Sequence, residues 1–182
     1  MFDIQGERVA LVTDTACDLS DEQLRTYDIR PVALRVATSK GEFRDRTEID
    51  PATLYQIMEH ELPKTSLPLP GDVSDLYRSL LEEGADRIVH LSLSSGLSGS
   101  YNMASMIAGD FPEARIDVVD TQTLSAGEGL LVLRVARYLE QGMPVEDALN
   151  EMRRLRRGLK PGLRSPGRTM IRFTPCSITG MS

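Results

Sequence analysis

The sequence predicts an α/β domain with a mostly parallel sheet and helices on both faces of that sheet. Short β-branched, apolar runs alternate with segments in which apolar residues recur every three or four positions, as strands alternating with helices do. The runs at 8–14, 87–92 and 115–120 are rich in apolar residues, a pattern typical of strands that are covered on both faces. A chain of 182 residues is long enough for one such domain and too short for two ordinary ones.

Local signals define the first elements. Residues 8–14 predict a buried strand, and Ser20, followed by two acidic residues, predicts the start of a helix. Residues 29–38 are largely apolar and β-branched, so they predict one further strand. The charged segment 40–45 predicts a hairpin or turn.

Prolines delimit the elements in the middle of the chain. Pro51 stands at the favoured first position of a predicted helix that ends at Pro63, and the Pro-rich segment 64–71 predicts a loop. Asp72 or Ser74 is predicted to cap the helix that follows. The remaining predicted elements are a strand at 87–92, a helix at 98–109, a strand at 115–120, and helices at 128–141 and 145–157.

The charge distribution predicts a boundary near the end of the chain. The formal net charge is -6, yet residues 151–182 hold eight basic residues and one acidic residue. We therefore expect the α/β domain to occupy residues 1–158. Residues 159–182 have no sustained period and three prolines, which predicts an irregular basic tail of the kind that a truncated gene product or a shifted reading frame would produce.

Composition disfavours several classes of function. The acidic net charge and an aromatic content of 5% argue against nucleic-acid binding. No apolar stretch reaches membrane-spanning length, and the amino terminus lacks a signal-peptide pattern. Cys17 and Cys176 have no metal-ligand spacing. The sequence thus predicts a cytoplasmic protein with no membrane span, no metal and no cofactor.

The segment 86–101 predicts a binding site for a small acid. Between its strand pattern and its helix pattern stand serines and glycines, namely Ser92, Ser94, Ser95, Gly96, Ser98 and Gly99. Ligands of open α/β sheets bind beyond the carboxyl ends of the strands. Hydroxyls, free backbone amides and the amino end of a helix all favour negative charge there.

Four motifs resemble those of the DegV family and come in the order that the family has. They lie at 12–19 (VTDTACDL), 64–72 (KTSLPLPGD), 91–101 (LSLSSGLSGSY) and 120–121 (DT), and the resemblance extends from residue 8 to about residue 158. The resemblance implies a bacterial fatty-acid-binding protein that is not an enzyme, with the acyl chain held between this α/β domain and a second one. It also implies a partner, a separate fatty-acid kinase that phosphorylates the carboxylate of the bound long-chain fatty acid.

The resemblance also implies which side chains hold the ligand. Thr65 and Ser66 match the family's Thr-Ser pair, and Ser94 and Ser95 match its Ser-Ser pair, whose hydroxyls hold the fatty-acid carboxylate. Nearby positions depart from the family pattern without changing these four residues: Leu67, Leu69 and Ser100.

The family's second domain supplies much of the acyl tunnel and a histidine near the carboxylate. The two histidines here, His60 and His90, match nothing in that domain. Burial of an acyl chain contributes about 0.8 kcal/mol per CH₂, but only where walls enclose the chain on both sides. Because the resemblance ends near residue 158, before that second domain, we expect the lipid affinity to be greatly weakened.

Two other functions remain open on the sequence. One is a hydrolase or phosphotransfer enzyme that uses Ser95 with Asp14, although the G-x-S-x-G elbow of such hydrolases is absent and Asp at a strand end more often caps a turn. The other is a fragment without function. The basic cluster at 153–157 is interpreted as a solvated helix face, with an acidic partner such as the kinase as the alternative.

Overall fold

The structure is a computed structural model that describes residues 1–159. The strands are β1 (Phe2–Ile4), β2 (Glu7–Asp14), β3 (Ile29–Val32), β4 (Arg35–Thr38), β5 (Gly41–Arg44), β6 (Lys64–Ser66), β7 (Arg87–Ser92) and β8 (Arg115–Asp120). The helices are α1 (Asp21–Thr26), α2 (Pro51–Met58), α3 (Pro70–Glu82), α4 (Ser100–Ala108), α5 (Ala126–Glu140) and α6 (Val145–Gly158). The tail predicted at 159–182 lies outside the described residues, apart from Leu159.

Two sheets organise the described part of the chain. The central sheet has the order β1-β2-β7-β8, with β3 also paired to β2, and all of its pairings are parallel except that of β1. The second, small sheet has the order β5-β4-β6 and is antiparallel. The mostly parallel sheet that the sequence predicts is therefore confirmed, and the small sheet is an addition to it.

Helices cover both faces of the central sheet, as predicted. Successive residues of a strand face opposite sides, so Val9 and Leu11 join one apolar cluster while Ala10 and Val12 join the other. The first cluster includes residues of α1, α5 and α6, and the second includes residues of α3 and α4. Such two-sided burial fixes the register of the central strands, because a slip by one residue would exchange the two faces.

The start of α1 follows the sequence signal. Gln23 donates its backbone N–H to Ser20 Oγ at 3.2 Å, and Ser20 donates its own N–H to Gln23 Oε1 at 2.9 Å, which completes a capping box. Asp50 caps α2 by accepting from the N–H of Thr53 at 2.8 Å. That helix ends at Met58, however, and not at Pro63.

The prediction of one strand over 29–38 is wrong. Residues Ile29–Val32 pair with β2 in the central sheet, whereas Arg35–Thr38 pair with β5 and β6 in the small sheet. Between them, the N–H of Leu34 donates to Thr15 Oγ1 at 3.1 Å, which ties the crossing point to the carboxyl end of β2. Both halves have the same β-branched composition, so composition does not reveal the break.

The prediction of a loop over 64–71 is also wrong, since Lys64–Ser66 form β6 and α3 begins at Pro70. The predicted caps of that helix, Asp72 and Ser74, lie inside it instead. The Asp72 carboxylate accepts two hydrogen bonds from Arg44, at 2.7 and 3.1 Å, so its role is to join β5 to α3.

The amino ends of the central strands carry an ion-pair network. The Arg87 side chain is 3% exposed and donates to Asp117 at 2.6 Å and to Glu146 at 2.9 Å. These contacts fasten α6 to β7 and to β8, the last strand of the central sheet. They lie at the end of the sheet opposite to the predicted ligand site, so they are structural.

Candidate functional site

The carboxyl ends of β2, β7 and β8 meet at one edge of the central sheet. The parallel register places Ser92 beside Asp120, and the Ser92 hydroxyl donates to Asp14 Oδ2 at 2.9 Å. The same carboxylate oxygen accepts the N–H of Leu93 at 2.6 Å. Asp14 is fully buried, so its carboxylate holds the point at which the chain leaves β7. The sequence predicts only that Asp14 caps a turn, whereas in the structure it bonds to the end of another strand.

The Ser/Gly loop that follows β7 is folded around Ser94. The backbone N–H of Ser94 donates to the carbonyl of Thr123 at 2.8 Å. The carbonyl of Ser94 accepts from the backbone N–H groups of Leu97 and Ser98. The N–H of Gly96 donates to Ser94 Oγ at 3.3 Å. The Ser94 hydroxyl therefore acts as an acceptor inside the loop and keeps its own proton for another group.

The neighbouring Ser95 is tied to Asp120. Its hydroxyl donates to Asp120 Oδ2 at 2.6 Å and its N–H donates to Oδ1 at 3.2 Å. Asp120 also accepts the N–H of Gln122 at 2.8 Å. The single hydroxyl proton of Ser95 is thus already donated to a resident carboxylate. The predicted pairing of Ser95 with Asp14 is wrong, because the acid that Ser95 contacts is Asp120.

Thr65 and Ser66 lie on β6 in the small sheet and point to opposite faces of it, because adjacent residues of a strand alternate. The register places Thr65 opposite Val36 and Ser66 opposite Arg35. The Ser66 hydroxyl donates to Glu42 Oε1 at 3.2 Å. The Thr65 hydroxyl makes no hydrogen bond to any residue within 1–159.

The two hydroxyl-bearing segments approach each other through an apolar contact. A Cβ at Gly99 would lie 3.3 Å from Leu67 Cδ1, so Gly99 leaves room for Leu67 at the start of α4. No hydrogen bond within 1–159 joins Thr65 or Ser66 to the Ser94–Ser95 pair. The structure thus brings the two predicted segments to neighbouring positions, with their hydroxyls bonded separately.

A buried carboxyl group lies beneath this edge and was not singled out from the sequence. Glu128 of α5 is fully buried and accepts from Thr13 Oγ1 at 3.2 Å. Burial, with the nearby charge of Asp14, raises the pKa of Glu128 to about 9. A sequence signal existed, because Glu128 stands at helical spacing from Leu131 and Val135 on the apolar face of its helix.

The basic cluster at 153–157 is only partly a solvated face. Arg153 and Arg154 bond to Asn150 and Glu151 of their own helix, in agreement with that interpretation. Arg156 instead donates to the backbone carbonyl of Asp120 at 2.7 Å, so α6 reaches the carboxyl end of β8.

Within 1–159, no cluster of three or more His, Cys, Asp or Glu side chains is suited to a metal ion. No helix of this described range is long and apolar enough to cross a membrane.

The fold and this edge define a class of protein: an α/β domain with serine hydroxyls at the carboxyl ends of its parallel strands and a small antiparallel sheet beside them. A family model described as "Uncharacterised protein, DegV family" matches residues 8–160. The chain belongs to the DegV family.

Individual relatives agree with this assignment. A DegV domain-containing protein of Clostridium acetobutylicum is 32% identical over 151 residues, which are 83% of this chain and 54% of that protein. A solved structure described as "Fatty Acid Binding of a DegV family Protein from Thermus thermophilus" is 41% identical with a TM-score of 0.75, covering 82% of this chain and 54% of that one. A stearic acid-binding protein from Eubacterium ventriosum is 34% identical with a TM-score of 0.72, covering 81% and 52%. The chain therefore spans about half the length of these relatives.

Proposed function

We propose that this chain binds a long-chain fatty acid by its carboxylate near Thr65 and Ser66 of the small sheet and Ser94 and Ser95 of the Ser/Gly loop, as a carrier and not as an enzyme. The observation that carries the proposal is the 41% identity to a Thermus thermophilus protein whose structure is described as fatty-acid-binding. Hydroxyls of this kind are donors that can hold a carboxylate.

The hydrogen bonds divide the four hydroxyls into two kinds. A serine or threonine hydroxyl has one proton to donate, and Ser66 and Ser95 already donate theirs to Glu42 and Asp120. The direct donors to a fatty-acid carboxylate are therefore Thr65 and Ser94.

The resident acids give a second reason for this division. A ligand carboxylate placed against Ser66 or Ser95 would lie close to the negative charge of Glu42 or Asp120, and like charges repel at short range. Ser94 accepts from a backbone amide instead. In this proposal, Asp120 orients Ser95 and the loop around it, and Ser66 helps to fix β6 beside β5.

Fluorescent fatty-acid titration of single-residue variants tests the division. Ser94→Ala and Thr65→Val should each raise the Kd about tenfold, since a hydrogen bond to a charged group contributes about 1.5–3 kcal/mol. Ser66→Ala and Ser95→Ala serve as matched controls and should raise the Kd less than threefold. Equal losses in all four variants would contradict the division, and the absence of any binding by the folded chain would contradict the function and favour a fragment without function.

The affinity expected for these 182 residues taken by themselves is low. They span about half the length of the relatives, and about 0.8 kcal/mol per CH₂ is gained only where the acyl chain is enclosed. For a polypeptide of these residues alone we expect a Kd in the micromolar range or above. A sub-micromolar Kd would show that the expected weakening is wrong while leaving the binding function intact.

The enzyme alternative has a separate test. Within 1–159, the Ser95 hydroxyl has a carboxylate partner and no histidine partner, so the arrangement lacks the base of a serine hydrolase. Turnover of ester or phosphate substrates that is abolished by Ser95→Ala would nevertheless establish an enzyme.

Presentation of the fatty acid to a separate kinase, in the cytoplasm of a bacterium, completes the proposal and rests on the family resemblance. The assay is phosphate transfer to the fatty-acid carboxylate by a bacterial fatty-acid kinase, with and without this chain. Transfer that does not depend on the chain would contradict this part.

A further inference from the structure

A row of three buried polar side chains lies beneath the Ser/Gly loop, and the proposed contacts with the fatty-acid carboxylate do not involve it. It runs from Tyr77 of α3 through His90 of β7 to Asp14 of β2. Each of these residues is at most 1% exposed. Buried polar groups are costly unless they are paired, so three of them in contact, drawn from three elements, need a physical reason.

The first link fixes where the imidazole carries its proton. Tyr77 Oη lies 2.6 Å from His90 Nδ1, and within 1–159 the phenol has no other hydrogen-bond partner. Burial, together with the charge of Asp14, raises the pKa of Tyr77 well above its ordinary value, so the phenol keeps its proton. A phenol that donates to Nδ1 leaves the proton of a neutral imidazole on Nε2.

The second link joins that nitrogen to Asp14. His90 Nε2 lies 3.9 Å from Asp14 Oδ1. Neither atom has a hydrogen-bond partner among the described residues, although both are buried. The separation is longer than a hydrogen bond, yet the attraction between an N–H dipole and a carboxylate is stronger in a buried setting than in water.

The third link reaches the loop. The other oxygen of the same carboxylate, Asp14 Oδ2, accepts the N–H of Leu93 and the hydroxyl of Ser92. Leu93 directly precedes Ser94, so the orientation of the Asp14 carboxylate sets the direction in which the Ser/Gly loop leaves the sheet.

We propose that His90 is a positioning residue, which holds one oxygen of Asp14 through Nε2 so that the other oxygen fixes the Leu93 N–H and thereby Ser94. Tyr77 supports it by selecting the tautomer. The consequence for ligand affinity rests on the proposed function, whereas the consequence for the loop does not.

The test uses two amide replacements in the full chain. His90→Gln places an amide nitrogen near the position of Nε2, and His90→Asn places one near the position of Nδ1. If His90 acts through Nε2, hydrogen exchange at the Leu93 amide should quicken about tenfold in the Asn variant and less than threefold in the Gln variant. Equal exchange in the two variants would show that His90 only fills space, and would overturn the proposal.

A measurement on the unmodified chain guards against variants that fail to fold. Nitrogen-15 NMR of the His90 ring should show the proton on Nε2, and Tyr77→Phe should shift the tautomer population towards Nδ1. A proton on Nδ1 in the unmodified chain would overturn the proposal.

Fatty-acid titration separates this proposal from the proposed function. If the unmodified chain binds fatty acid, the Kd should rise about tenfold in His90→Asn and change little in His90→Gln. If the unmodified chain binds no fatty acid, the proposed function fails, while the exchange and tautomer results still decide the role of His90.

Discussion

The central sheet and the small sheet place polar groups in opposite ways. Asp14 and His90 of the central sheet, and Glu128 of the helix α5 that packs on it, are completely buried. In the small sheet, every residue of β6 is exposed, and the charges of β5 pair with neighbours that remain partly solvated. Of the two proposed ligand donors, Ser94 lies beside the first sheet and Thr65 within the second.

From this difference we expect the proposed site to be rigid on the Ser94 side and adaptable on the Thr65 side. The buried carboxylate of Asp14 orients the start of the Ser/Gly loop, where any movement would break hydrogen bonds away from water. Strand β6 is held by three residue pairs with β4 and by the contact of Leu67 with Gly99. The ion pairs of this sheet involve β4 and β5 and lie at the surface, where each contributes little. We expect local opening of the small sheet at a far lower free energy than opening of the central sheet.

The largest expected effect comes from the buried acid of the central region. Between pH 4.5 and about 9 the folded chain keeps a proton on Glu128 that the unfolded chain has released, so the free energy of unfolding falls as the pH rises. Glu128→Gln removes this dependence, and its stability advantage over the unmodified chain should widen by up to about 1.4 kcal/mol per pH unit in that window.

Urea unfolding at several pH values measures the Glu128 effect. The matched variant for the small sheet is Glu42→Gln, which removes a carboxylate that is 48% exposed, and it should change the free energy of unfolding by about 1 kcal/mol or less because exposed ion pairs contribute little. A stability difference between Glu128→Gln and the unmodified chain that does not change with pH would remove the contrast between the two regions.

A pair of identical truncations compares the packing of the two sheets. Val89→Ala in β7 deletes fully buried methyl groups from the central apolar cluster and should lower the free energy of unfolding by about 2 kcal/mol. Val36→Ala in β4 deletes the same groups at 2% exposure, but Val36 belongs to neither apolar cluster, so the expected loss is about 1 kcal/mol or less. Equal losses by urea unfolding would mean that the small sheet is as tightly packed as the central one.

The smallest expected effect concerns the Arg44–Asp72 ion pair, which forms a bridge between the small sheet and α3. Arg44→Gln removes the two hydrogen bonds to Asp72, and hydrogen exchange at the β5 and β6 amides should quicken about two- to fivefold. Arg44 lowers the pKa of Asp72, so this protection is present above the ordinary value of 3.8 and should be lost as the pH falls below it.

The control for the bridge is Arg78→Gln, which breaks an exposed pair with Asp75 inside α3 and should leave those amides unchanged. Unchanged exchange in Arg44→Gln would show that Leu67 and the strand pairs hold the small sheet without the bridge.

Sequence reasoning succeeded where one element carries its own signal. The runs at 87–92 and 115–120 are strands, and Ser20 caps α1, because apolar continuity and capping chemistry are local properties. It failed at 29–38 and 64–66, where the deciding factor is which strand becomes the partner. That choice is made by tertiary contacts such as Leu34 with Thr15, which no short segment encodes.

The candidate site shows the same limit. The resemblance selected Thr65, Ser66, Ser94 and Ser95, and it remains a prediction that they hold a ligand. The contacts of Ser66 and Ser95 with Glu42 and Asp120 span 24 and 25 positions of the chain. A sequence motif therefore identifies the hydroxyls but does not show which of them is free to donate its proton to a ligand.

The position of β8 at the end of the central sheet bears on how the chain behaves in concentrated solution. Among residues 1–159 no strand pairs with its outer side, and an unpaired strand edge can pair with a strand of another molecule, which is the usual route to aggregation of sheet proteins. Arg115 and Asp117 place charge along this strand, and Asp117 is engaged by Arg87. A second molecule that added a strand here would have to accommodate these charges, so we expect the network that fastens α6 to disfavour edge-to-edge association as well.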